Sequence, residues 1–149
     1  MTLTRRIARP LLAATFVSGG IETLRNPDPR VEKAEAVAPQ VAERLPLPNE
    51  TQQLVKINAA VQVAAGVLLS VGRMPRLAAG ALAASLVPTT LAGHRFWEEE
   101  DATRRAQQQI HFLKNVGLLG GLILAMFDTE GTPSLGWRAK QTARRVRKR

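Results

Sequence analysis

Residues 93–115, GHRFWEEEDATRRAQQQIHFLKN, decide how this chain is read. They hold both histidines of the protein, one of its two tryptophans, an acidic quartet (Glu98, Glu99, Glu100 and Asp101) and a lysine beside an asparagine. One apolar run ends where they begin, and another starts inside them at Ile110. Bracketed in this way, they read as a short polar connection between two membrane helices, with Trp, His and Lys placed where hydrocarbon meets water.

Working outward, four apolar blocks emerge, at about residues 7–24, 54–71, 77–93 and 110–127. Each is seventeen or eighteen residues long, and at 1.5 Å per residue reaches roughly 27 Å, enough to cross the hydrocarbon layer. The basic turn GRMPR at 72–76 is so short that the second and third helices must be antiparallel neighbours. Within them, Asn58 and Gln62 share a helix face, and a buried amide needs a partner, so that face is expected to look into the bundle. Pro88 is expected to bend the third helix while Thr89 and Thr90 satisfy freed carbonyls. Gly19 and Gly20, the Gly80/Ala84 pair and the Gly117/Gly121 pair suit close helix packing.

The basic start followed by LLAATFV also fits a secretory signal peptide. No small-x-small cleavage site precedes a soluble domain, and three further blocks follow, so it reads as a first span. Between the first two blocks, NPDPR and PLPNE frame a segment in which Val31, Ala34, Val37, Val41 and Leu45 recur at helical spacing, interrupted by Pro39. One or two short amphipathic helices are expected there, on the membrane surface or capping the bundle. The fold class is therefore all-α: an integral membrane four-helix bundle over residues 1–137, with a polybasic tail at 138–149.

Composition narrows the chemistry. Of 149 residues, 45% are hydrophobic, yet there are four Phe and no Tyr to build a soluble core. The absence of cysteine excludes a disulfide, a thiol nucleophile or a thiol redox relay. No nucleotide, flavin or haem motif is present, and two histidines about seventeen residues apart lack a third metal ligand. An enzyme acting alone is thus the weakest reading. The net charge of +9 lacks the interleaved aromatics of a nucleic-acid face.

Topology explains that charge better. Four crossings put both termini on one side, with Arg5, Arg6, Arg9, Arg73, Arg76 and seven basic tail residues, twelve cations against Asp128 and Glu130. The other side holds nine cations against ten acids, so the two sides carry +10 and −1. The positive-inside rule then places both termini in the cytoplasm and the histidine-bearing hairpin outside. The tail, with Arg144, Arg145, Arg147, Lys148 and Arg149, is expected against anionic lipid head groups, and Trp137 at the interface.

Glu22, Lys56, His94, Trp97, His111, Lys114 and Asn115 all fall toward the outer helix ends, and Gln62, on the inward amide face, is a further candidate for a ligand or proton site. A histidine there can pass protons or bond a quinone carbonyl, and Glu22 can pair with a lysine. The plainer reading is that polar groups lock helix ends together; both stand. The acidic quartet reads as a solvated loop or a docking spot for a basic partner.

RRIARPLLAATFVSGGIETLRNP, the GR-P-RLAA turn, VPTTLAGHRFWE, QQIHFLKNVGLLGGLILA and DTEG-PSLGWR together resemble the DoxX family of small four-helix bacterial membrane proteins, in the form found in high-GC Gram-positive bacteria. The resemblance implies a cytoplasmic-membrane subunit or anchor in an oxidoreductase system. The family name comes from a subunit associated with thiosulfate:quinone oxidoreductase, and some members are linked to a complex with a superoxide dismutase and a thiosulfate sulfurtransferase. No cofactor is evident in the sequence; the resemblance is compatible with a quinone or lipid pocket near the outer leaflet, with His94, His111, Lys114 and Asn115 the candidates in matching blocks. The alternative from another class is a non-enzymatic scaffold that recruits partners or acts on envelope lipids.

Overall fold

The computed structural model describes residues 3–35, 37–38 and 50–128. Five α-helices and one 3₁₀ turn account for them, with no strand among the described residues. We label them α1 (Leu3–Arg25), α2 (Asp28–Ala34), α3 (Thr51–Ser70), α4 (Pro75–Gly93) and α5 (Ala102–Phe127), the 3₁₀ turn being Phe96–Glu98. The four long helices run up, down, up, down, each packed on the next, and α5 returns to the side of α1. Both chain ends therefore meet at one end of the bundle, called here the arginine end; the opposite one is the histidine end.

Sequence sets the boundaries. α1 stops at Arg25, ahead of Pro27, and Pro29 sits in the first turn of α2, where its missing N–H costs nothing. α3 ends in a Schellman motif: Gly72, at φ 73°, gives its N–H to Leu69 O, and Arg73 gives its own to Leu68 O. At the start of α5, the Asp101 carboxylate accepts the Arg104 N–H at 2.8 Å. That cap starts the helix about two turns ahead of the apolar block at Ile110. Most of residues 93–115 is thus helix, and the polar connection shrinks to His94–Asp101 with its 3₁₀ turn.

The core is made of small residues. Ala13, Ala59, Ala65, Ala78, Ala79 and Ala83 are buried with Phe16, Leu69, Leu82, Leu86 and Leu122, while larger apolar residues point outward: Leu124 is 76% and Phe127 75% exposed. Small inside and large outside is the arrangement of helices that pack tightly on each other and face lipid. The closest approach is between α1 and α3. A Cβ on Gly20 would lie 2.9 Å from the Ala59 carbonyl oxygen, and one on Gly66 2.6 Å from Val17 Cγ2. The expected roles of the other glycines divide. Gly19 and Gly117 have nothing within 4 Å of such a Cβ, Gly80 meets Met126 at ordinary contact distance, and Gly121 comes within 3.3 Å of Leu12.

Three helices are long and apolar enough to cross a membrane: Thr51–Ser70, Pro75–Glu98 with the turn included, and Ala102–Phe127. α1 matches them in length but breaks its apolar run with Arg9 and Glu22. Arg9 is only 5% exposed, because the end of α5 comes to meet it. Asp128 takes two bonds from Arg5, at 2.7 and 2.9 Å, and one from Arg9 at 3.5 Å. Arg76 of α4 donates to the Asp128 carbonyl oxygen at 2.9 Å. One residue thus ties α1, α4 and α5 together at the arginine end.

The expected capping segment is present in part. α2 folds over the histidine end against α3 and α4, and Ala38 is buried. Pro39, Val41 and Leu45 lie outside the described residues, as do Trp137 and the tail with Arg144, Arg145, Arg147, Lys148 and Arg149.

Candidate functional site

The histidine end begins at Pro88, inside α4. Pro88 has no N–H to give the Ala84 carbonyl. Thr89 and Thr90 do bond back into their helix, but to Ser85 O and Leu86 O, both at 2.8 Å, and not to that carbonyl. Each hydroxyl also receives an amide from a neighbouring helix. Thr89 accepts from Asn58 Nδ2 at 3.0 Å and from Gln62 Nε2 at 3.4 Å, both on α3. Thr90 accepts from Asn115 Nδ2 on α5 at 3.0 Å. Adjacent threonines on α4 therefore hold α3 on one side and α5 on the other. Gln62, Thr90 and Asn115 are all buried.

One turn beyond this layer, α4 ends and His94 turns toward α5. Its ring stacks on His111, with centroids 5.2 Å apart and planes at 23°. Nδ1 of His94 lies 2.8 Å from Gln108 Oε1. A side-chain carbonyl oxygen only accepts, so Nδ1 carries the proton and Nε2 of the neutral ring is left as an acceptor. Beside the pair, Phe96, Trp97 and Phe112 meet edge to face at 5.2 to 5.9 Å between centroids. An open cleft of about 370 Å³, bordered by Lys33, Ala92, Gly93, Arg95, Glu98, Glu99 and Gln108, opens next to His94.

The candidates from sequence separate into three groups. The first holds His94, stacked on His111 beside the cleft, Trp97 in the aromatic cluster with Phe96 and Phe112, and the exposed Lys114. Gln62 and Asn115 belong to the buried amide–hydroxyl layer beneath. Glu22 and Lys56 share this end of the bundle but are exposed, and no ion pair of Glu22 is found among the described residues. The acidic quartet is mostly engaged inside the chain: Glu98 pairs with Arg95 at 3.2 Å, Glu99 with Arg104 at 4.0 Å, and Asp101 caps α5. Only Glu100 is left as a free solvated carboxylate.

Sequence reading missed Gln108 and Lys33. Gln108 precedes His111 by three residues, a signal that appears once the Asp101 cap places both on one helix. Lys33 had no such signal, since it reaches the cleft only through the folding back of α2. No group of three or more metal ligands exists among the described residues.

A family model described as DoxX matches residues 5–95, more than half of the chain. The match takes in α1, α2, α3, α4 and His94, and stops before α5 with His111, Lys114 and Asn115. No curated protein and no solved structure matches the chain.

Proposed function

The chain belongs to the DoxX family, and from that premise we propose that this helical membrane protein is a subunit or anchor of an oxidoreductase system that offers a quinone a seat at its histidine end. In this reading α1 is the fourth crossing, both termini are cytoplasmic and the cleft opens outside. The charge difference between loops supports that orientation. The placement of Arg9 against Asp128 supports α1 as a span, because a paired arginine near a helix end is tolerated where a bare one is not.

The observation that carries the proposal is the His94 ring, held by Gln108 and stacked on His111, beside an open cleft and close in sequence to the aromatic cluster of Phe96, Trp97 and Phe112. These residues fit a quinone: a flat ring with a carbonyl or hydroxyl at each end can lie against the aromatic edges and reach His94. A bound quinone would supply two-electron, two-proton redox chemistry, which no side chain of this protein has. For its part, the neutral His94 ring accepts a hydroxyl proton at Nε2, and the exposed His111 stands between that ring and water. Lys114 favours negative charge on the same side. Electrons must come from a partner protein; a superoxide dismutase or thiosulfate sulfurtransferase is the candidate that the family resemblance offers.

Quinone titration of the purified chain, followed by quenching of Trp97 fluorescence in a Trp137→Phe background, tests this. Losing one hydrogen bond of about 1 kcal/mol should weaken binding by about fivefold in His94→Ala. Unchanged affinity in His94→Ala and in a His111→Ala/Lys114→Ala variant would remove the quinone. A scaffold role would then stand, favoured by the fact that each buried polar pair here joins two helices; loss of partner co-purification on Glu100→Lys would support it.

A further inference from the structure

Five hydroxyls lie in helix interiors with a described partner, and they behave alike. Ser18, Thr23, Ser70, Thr89 and Thr90 each bond a carbonyl three or four residues back, at 2.8 to 3.3 Å. Ser85 does not. Its Oγ is buried, the residue being 5% exposed, and has no hydrogen-bond partner among the described residues. The Ala81 carbonyl stands four residues back and would accept it, as Ser85's own carbonyl accepts Thr89. The side chain forgoes this bond and aims its hydroxyl elsewhere.

Its surroundings are polar on one side. Ser85 is one turn below Thr89, to which α3 presents Asn58 and Gln62. Pro88 leaves the Ala84 carbonyl without its helical N–H in the same turn. Followed along α4 from the histidine end, Thr89 and then Ser85 recur at a one-turn step on the side that meets α3, while Thr90 and His94 turn to α5. One turn deeper, Leu82 closes the way at 0% exposure. From His94 to Ser85 is nine residues, roughly 13 Å along the axis and about half of a membrane span.

We propose that the α3–α4 seam is a hydrated half-channel, in which water entering at the histidine end is bound by the Ser85 hydroxyl and goes no further than Leu82. A water needs two to four polar partners in a confined site. Ser85 Oγ and the Gln62 amide are the groups this level of the seam offers. Pro88, in the adjoining turn, makes the room, since a proline ring holds its turn away from a straight ladder. The seam gives the histidine layer an aqueous supply reaching into the bilayer, whatever ligand the cleft takes.

Because the chain has no cysteine, single thiols can be placed without background. In full-length protein reconstituted in liposomes, silver ion, which follows water paths, should modify Ser85→Cys within about tenfold of the rate for Thr89→Cys. Leu82→Cys, one turn deeper, should react at least a hundredfold more slowly. A Ser85→Cys thiol as slow as the Leu82→Cys thiol would overturn the proposal. Should Ser85→Cys fail to insert, Ser85→Ala decides by its melting temperature. A dry orphan hydroxyl is better removed, so a rise refutes the seam; a fall, from loss of the bound water's anchor, supports it.

Discussion

The two ends of this bundle are fastened by opposite means. At the arginine end the Asp128 carboxylate gathers Arg5 and Arg9 from α1 while its carbonyl takes Arg76 from α4. At the histidine end no ion pair links two long helices among the described residues. Neutral amides there meet neutral hydroxyls across α3, α4 and α5, and a histidine pair lies above them. The first end is strong and fixed. The second is made of weaker, separable contacts around an open cleft, which suits a place where something binds.

The sharpest way to break this contrast is Asp128→Asn. The amide keeps the shape but removes the charge shared by two guanidiniums, one of them almost wholly buried. Breaking such a partly buried pair costs about 2–3 kcal/mol, to be read as a fall in melting temperature in mild detergent. The largest loss of any polar substitution is expected here. An equal loss from a histidine-end amide would erase the distinction between the two ends.

Next comes Gly20→Ala, where α1 crosses α3. The new methyl would meet the Ala59 carbonyl at 2.9 Å and Val63 at 2.8 Å, and a backbone oxygen cannot step aside. The helices must part, at about 2 kcal/mol. Gly19→Ala, with open space at its Cβ, should cost nothing and can gain slightly from helix propensity. The adjacent pair thus tests whether α1 is held along its length or only by the Asp128 clamp. If Gly20→Ala is silent, the clamp alone holds α1.

At the histidine end, Thr90→Val and Asn115→Leu should each cost about 1 kcal/mol, and the double variant little more than either alone, since both remove the same bond. Additive losses would mean that the Asn115 amide finds another partner, and that the end is more rigid than the geometry indicates.

These expectations also mark what the sequence made legible. Apolar runs separated by charged turns specify long helices whatever their neighbours, so the rods and their antiparallel order could be read directly. Asn58 and Gln62 were legible as an inward face because hydrocarbon leaves an amide no alternative. Which glycine of the Gly19/Gly20 pair faces a partner was not, since a single residue turns a helix by a third of its circumference. The Asp101 cap was in plain view as an acid before ATRRAQQQ, but the apolar signal beginning at Ile110 masked it. The Asp128 clamp joins residues more than a hundred positions apart, and no local pattern announces a contact of that kind. The site shared this fate: both histidines were seen, but Gln108 and Lys33 depend on a helix start and on a fold-back of α2.

The smallest effect belongs to the turn between α3 and α4, at the arginine end, and it has the opposite sign. Met74 sits at φ 49° and ψ 46°, the left-handed region, and it directly precedes Pro75. A side chain with a Cβ pays roughly 1–2 kcal/mol there, whereas glycine is at ease. Met74 is 61% exposed, so little packing is lost with its side chain. Met74→Gly should therefore stabilise the protein, by about 0.5–1 kcal/mol after the extra freedom of glycine in the unfolded chain is counted. Two residues earlier, Gly72 has φ 73° and closes α3, so Gly72→Ala should lose about as much. Opposite signs at these two positions would show that the arginine end is strained in its turn and held by its clamp. If Met74→Gly instead lowers stability, the turn is set by contacts of the methionine itself, and the strength of this end cannot be assigned to Asp128 alone.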